Sequence, residues 1–214
     1  MCGRFNNQIA SYGEWADLLR ELPEYVASYN VSPSMTIPVI TSETGRLMRW
    51  GLVPNWSKSF NTKFATFNAR IETVKEKPTF KGAWHNKQRC IIPMAGYYEW
   101  SMKNGRKLPS YISSGSNIIV AAGLFEHWGS EPNYSCTMLT MPATKALQSI
   151  HHRMPILLSP LQAKHWLDGL QRADKSLLTS SPILRSHTVS QLVGDSRQDN
   201  AELIKPYDRR DLFD

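Results

Sequence analysis

The chain opens Met1-Cys2-Gly3-Arg4-Phe5-Asn6, and the side chain of Cys2 is small enough for the initiator methionine to be removed readily. Removal leaves a free α-amine and a thiol on one residue. An α-amine titrates near about 7.7–8.0 and a thiol near about 8.5, so both are partly nucleophilic around neutrality. Such a 1,2-aminothiol attacks an aldehyde twice, giving first an imine and then a five-membered thiazolidine. It serves equally as an N-terminal nucleophile for amide hydrolysis, and a bystander cysteine at a frayed end is the plain alternative. Three further segments carry reactive types. Ile150-His151-His152-Arg153-Met154-Pro155 holds two imidazoles, whose side chains are expected to point in different directions, so that at most one faces a given site. In Tyr97-Tyr98-Glu99-Trp100, strand alternation puts Tyr97 and Glu99 on one face and Tyr98 and Trp100 on the other. An acid among aromatics has a raised pKa and suits proton transfer; a strand-edge charge is the simpler role. In Phe67-Asn68-Ala69-Arg70-Ile71-Glu72, Asn68 and Arg70 precede a predicted helix, where Asn68 fits an N-cap and Arg70 a surface charge. None of the four segments decides a function alone.

The elements that must position these residues are mostly short strands. Trp15, Leu18, Leu19 and Leu22 recur at helical spacing and predict an amphipathic first helix over Gln8 to Leu22. Ile37–Ile40 and Leu47–Trp50, parted by a turn at Ser42–Gly45, read as a hairpin. Gly51 to Phe67 is a long polar connection, and a loop of that length in a compact domain is usually functional. Arg89–Ala95 and Tyr97–Met102 are strand-like, and Asn104-Gly105 is a strong hairpin turn into Leu108–Ile112. Ile118–Phe125 and Ser135–Met141 continue the pattern. Ser159-Pro160 is an N-cap with proline at the first helical position, opening a helix expected to bury Leu161, Trp166, Leu167 and Leu170. A last strand is predicted over Ile183 to Val189. The fold class is therefore α+β: a single domain with a mainly antiparallel, barrel-like β-sheet and peripheral helices, over residues 1–206, with a charged tail at 207–214.

Composition bounds the function. The 214 residues are 41% hydrophobic and 20% charged, an ordinary globular mix that needs neither disulfides nor a structural metal to fold. No apolar run reaches about 18 residues and no signal-peptide core follows Met1, so the expectation is a soluble cytoplasmic protein with no membrane partner. The 25 Lys and Arg against 18 Asp and Glu give a net charge of +7, which favours a polyanionic partner. Seven tryptophans suit base stacking, although filling a core is their commoner use. Cys2, Cys90 and Cys136 are odd in number and far apart, with no C-x-x-C, which argues against a disulfide framework and a zinc cluster.

Taken together, these segments resemble the SOS response-associated peptidase (SRAP) family. The resemblance is carried in order by Met1-Cys2-Gly3-Arg4, Tyr29-Asn30-Val31-Ser32-Pro33, Trp50-Gly51-Leu52-Val53-Pro54, Asn68-Ala69-Arg70-Ile71-Glu72-Thr73, Arg89-Cys90, Gly96-Tyr97-Tyr98-Glu99-Trp100 and Ile150-His151 with Arg153-Met154-Pro155. It implies a single-domain protein, without cofactor or metal and acting as a monomer, that shields abasic sites in single-stranded DNA. The shield is a covalent thiazolidine between the N-terminal cysteine and the ring-opened sugar. The resemblance makes Cys2 the nucleophile and has Asn68 orient its α-amine. Glu99 and His151 handle protons during methionine removal, ring opening and crosslink reversal. Arg4 and Arg70 grip phosphates, and Trp50, Trp56 and Trp100 line the DNA groove or stack near the lesion. Two positions depart from the family pattern: His152, where Asp is usual, and Asp195, where Asn is expected. If Met1 stays in place, the Cys2 amine is locked in a peptide bond. Two other classes remain in play: an N-terminal-nucleophile cysteine peptidase or amidohydrolase, and a non-covalent single-strand-binding module whose affinity ignores Cys2.

Overall fold

Local turn chemistry sets the hairpins, and the remaining strand order follows from which apolar faces need covering. A computed structural model describes residues 2–60, 65–115, 118–130, 133–169 and 182–207. Its strands are β1 (Arg4–Asn6), β2 (Thr36–Thr41), β3 (Gly45–Trp50), β4 (Asn68–Arg70), β5 (Arg89–Met94), β6 (Gly96–Lys103), β7 (Arg106–Ser113), β8 (Ile119–Trp128), β9 (Asn133–Pro142), β10 (Arg153–Pro155), β11 (Leu157–Leu158) and β12 (Arg185–Thr188). Its α-helices are α1 (Ala16–Leu19), α2 (Pro78–His85) and α3 (Pro160–Leu167). Strands β3, β2, β5, β8 and β9 pair in that order, and β9 returns to β3, which closes a five-stranded barrel. A second sheet, β1-β6-β7-β12, is antiparallel throughout. The α+β expectation with a barrel-like sheet holds. The barrel is mixed, however, because β3 and β4 both run parallel to β9.

Strand β9 is the organiser. Its first half pairs with β8, and its second half carries β10 on the same edge. The opposite edge carries β3 and then β4. Residue Thr140 is thus opposite Arg70 of β4 and Pro155 of β10, which brings two distant segments to one end of the barrel. Strand β5 is buried along its whole length, Arg89 to Met94, as a strand covered on both faces must be. The chain leaves β5 and crosses to the second sheet at Gly96. A Cβ there would stand 2.5 Å from the Tyr111 ring, so the close approach requires glycine. Beyond it, β6 faces two ways: Tyr97 enters the main core, and Tyr98 joins a smaller cluster with Tyr111, Val189, Val193 and Leu203.

Several expectations need correction. The amphipathic segment at Gln8–Leu22 forms only a 3-10 turn over Gly13–Trp15 and the short α1, which still bury Trp15 and Leu19. Asn68 caps no helix; it starts β4, because pairing with β9 satisfies its backbone better than a local turn does, and α2 begins only at Pro78. Helix α3 has the expected start, with Ser159 and Gln162 forming a reciprocal capping box ahead of Pro160. Leu161 is nonetheless exposed rather than buried, since it lies on the outer side of the first turn. Leu170 and the tail from 208 lie outside the described residues.

Candidate functional site

Backbone pairing assembles the site from four distant segments. Strand β1 runs beside β6, with Arg4 opposite Tyr98, so Cys2 emerges next to the middle of β6, where Glu99 stands. Strands β4 and β10, on the two edges of β9, supply Asn68 and the turn bearing His151. The Asn68 side-chain amide donates a hydrogen bond of 2.6 Å to the Cys2 carbonyl, which fixes the residue whose amine and thiol would react. The Asn68 amide oxygen is itself buried without a hydrogen-bond partner among the described residues. Cys2 is fully buried, and its thiol donates weakly to the Arg4 carbonyl at 3.7 Å. Burial, followed by the nearby Glu99 carboxylate, pushes the thiol well above its ordinary range. The sulfur is therefore protonated at neutral pH and needs a base before it can attack.

Two groups can take that proton. Glu99 is 2% exposed, and burial pushes its carboxyl up to about 7; the positive charge of the chain's amino terminus counteracts part of the rise. A carboxyl poised there gives and receives protons with equal ease near neutrality. Its Oε1 lies 3.9 Å from His151 Nδ1. Burial holds His151 below its ordinary pKa, so at neutral pH the ring is mainly uncharged. The backbone of Arg153 serves both states of that ring: its N–H donates to Nδ1 at 3.0 Å when the ring is neutral, and its carbonyl, at 3.2 Å, accepts when Nδ1 carries a proton. His152 does not point away as expected. Its ring stacks on His151 at 4.3 Å between centroids, with the two planes 29° apart.

The structure also separates the DNA-facing candidates. Trp50 is corrected: it is fully buried, packs edge-on against Phe5 and Phe67 at 4.9 and 5.6 Å, and donates its indole N–H to the Phe67 carbonyl at 2.9 Å. It cannot stack on a base without opening the core. Trp56, 61% exposed on the long connection, can. Trp100 is half-buried against the Tyr98 cluster. Arg70 is exposed at the end of β4, opposite Thr140 on the edge of β9 away from β10. Arg4 is held by the fold: its guanidinium donates to Asn30 Oδ1 at 3.1 Å and to the carbonyls of Val193 and Gly194 at 3.3 and 3.2 Å. Asp195, the second departure, sits in that same turn, where its carbonyl accepts from Asn30 Nδ2 at 3.0 Å.

One supporting residue was not singled out from the sequence. Arg153 is buried and grips Glu72 through two bonds of 2.6 and 2.9 Å, while also donating to the Thr140 carbonyl at 2.7 Å. It thereby locks the backbone that holds His151. The only signal in the sequence is that Glu72 lies in Asn68-Ala69-Arg70-Ile71-Glu72-Thr73 and Arg153 in Arg153-Met154-Pro155. Among the described residues no group of three or more His, Cys, Asp or Glu is arranged to hold a metal ion. No described helix is long and apolar enough to cross a membrane.

Comparison with known proteins identifies the family. The family model described as SOS response associated peptidase (SRAP) matches residues 1–196. The abasic site processing protein YoqW of Bacillus subtilis (strain 168) is 35% identical over 230 residues, covering 97% of this chain and all of that protein. The abasic site processing protein HMCES of Gallus gallus is 32% identical over 235 residues, covering 90% of this chain and 69% of that one. A crystal structure of a Bacteroides thetaiotaomicron protein superposes with a TM-score of 0.79 at 24% identity, over 96% of this chain and all of that one, a likeness of fold.

Proposed function

The chain belongs to the SOS response-associated peptidase family, and we propose that it senses and shields abasic sites in single-stranded DNA by joining itself to them through Cys2. The observation that carries the reading is the grouping of Asn68, Glu99 and His151 around the one residue able to present an amine and a thiol together. An abasic sugar in its open form offers an aldehyde at C1′. Once Met1 is gone, the Cys2 amine condenses with that aldehyde and the thiol closes the ring, an intramolecular step favoured by high effective concentration. Ring closure removes the electrophilic imine, so the adduct outlasts an ordinary Schiff base.

The proton traffic falls to Glu99 and His151. Glu99, poised near 7, gives a proton to the departing oxygen and takes the thiol's proton in turn. His151, neutral and held by Arg153, is the second acceptor, and it would also serve self-processing at the Met1–Cys2 bond and opening of the sugar ring. Arg70 and Trp56 are the exposed groups best suited to a flanking phosphate and a neighbouring base. The protein works as a monomer in the cytoplasm, on nucleoid DNA.

Intact mass spectrometry of the denatured mixture tests the reading. Protein lacking Met1, mixed at neutral pH with an oligonucleotide of verified abasic content, gives a protein-plus-DNA mass less one water. Cys2→Ser gives a weaker, more hydrolysable adduct, and a chain with Met1 blocked in place gives no thiazolidine. Absence of the adduct with fully processed wild type would exclude the crosslinking mechanism. Turnover on peptides or small amides instead would select the amidohydrolase.

A further inference from the structure

Tyr97 is a neighbour of the reaction centre that the chemistry above leaves unused. Strand β6 sends its side chain to the same face as Glu99, into the core cluster that contains Cys2. Its ring is fully buried opposite Phe5 of β1, and its hydroxyl oxygen has no hydrogen-bond partner among the described residues. A buried hydroxyl without a partner costs stability, and phenylalanine would fill the same volume without that cost. The groups it senses identify what it faces. After burial itself, the largest influences that hold its proton in place are Cys2 and then Glu99. The O–H therefore stays intact at any pH at which the amine and thiol react. The Cys2 sulfur is turned to the Arg4 carbonyl, which leaves the tyrosine hydroxyl as a donor without an acceptor beside the reacting residue.

We propose that Tyr97 is a further catalytic residue, whose hydroxyl donates a hydrogen bond to the C1′ oxygen of a ring-opened abasic sugar held at Cys2. The proposal rests on the crosslinking reading. In the first step the Cys2 amine lone pair forms the N–C1′ bond, the carbonyl π pair moves onto oxygen, and a proton passes from nitrogen to that oxygen. The C1′–O bond then breaks. Oxygen leaves as water with a proton from Glu99, and the nitrogen lone pair forms the C=N bond. The thiol sulfur finally bonds to C1′ while its proton returns to Glu99. Amine, thiol and aldehyde become one thiazolidine and one water, with no oxidant or reductant. Tyr97 keeps its proton throughout; its task is to stabilise the oxygen while charge builds on it, in a site where water does not compete.

Tyr97→Phe keeps the ring and removes only the donor. Rates of adduct formation with abasic single strands are compared with cyanoborohydride trapping of the imine, with affinity for intact single strands, and with melting temperature. The variant should trap imine and form adduct about 10- to 100-fold more slowly, up to the lower bound of what loss of one oxyanion donor costs. Its affinity for intact strands should be unchanged and its melting temperature equal or higher. Adduct formation at the wild-type rate would overturn the proposal. So would slow ring closure with unchanged imine trapping, or a parallel loss of affinity and melting temperature, which would assign the residue to sulfur activation or to packing. Failure of processed wild type to form any adduct would instead overturn the crosslinking reading, before the variant enters.

Discussion

Replacing Glu99 by Gln should make the protein more stable and nearly inactive, and the gain in stability should depend on pH in one direction. In the folded chain the carboxyl titrates near about 7 because it is buried; its ordinary value is 4.5. Below about 4.5 the group is protonated in both folded and unfolded chains and contributes no difference. Between 4.5 and 7 the unfolded chain gives up the proton while the folded chain keeps it, so stability falls as pH rises; above 7 the loss is complete. Each tenfold change in ionisation constant is worth about 1.4 kcal/mol, so the full loss is about 3 kcal/mol. Gln keeps the shape and has no charge to bury. Urea unfolding of both proteins at pH 4.5 and pH 8.5 measures the effect, and the advantage of Glu99→Gln should grow by about 3 kcal/mol between the two conditions. Adduct formation should meanwhile fall by about 10²–10⁴, the usual worth of a proton-transfer group. An advantage that does not change between the two pH values would refute the claim that burial, rather than a compensating partner, sets this carboxyl's state.

The tryptophans should separate cleanly: Trp50→Ala should cost about 3–5 kcal/mol in urea unfolding, whereas Trp56→Ala should leave stability within about 0.5 kcal/mol and weaken intact single-strand binding by about 1–3 kcal/mol. Arg70→Ala should lower the salt slope of single-strand binding by about 0.7 without moving the urea midpoint; Arg4→Ala, which breaks three hydrogen bonds to the 193–194 turn and Asn30, should move the midpoint as well. Arg153→Lys keeps the charge but loses the two-pronged grip on Glu72. It should destabilise the fold by about 1–3 kcal/mol and slow adduct formation, read on a denaturing gel, because His151 loses its fixed backbone partner.

What the sequence determined alone is what depends on covalent chemistry or on neighbours along the chain. Asn104 and Gly105 adopt φ of 50° and 75°, the paired positive values of a tight hairpin, because Asn and Gly tolerate them locally. Ser159, Pro160 and Gln162 fix a helix start within four residues. The aminothiol latent in Met1-Cys2 is legible for the same reason, since amine and thiol belong to one residue. Long-range pairing decided the rest. Residues 68–70 are a strand because β9 offers them a ladder, which no local propensity encodes. Trp50 and Trp56 are six residues apart and chemically identical; only the barrel wall buries one and leaves the other in solvent. Glu99 is a surface charge or a proton shuttle depending on whether water reaches it. Strand β6, flanked by β1 and β7, buries it away from that water, because taking a carboxylate out of a high-dielectric solvent is a property of the assembled site and of no single segment.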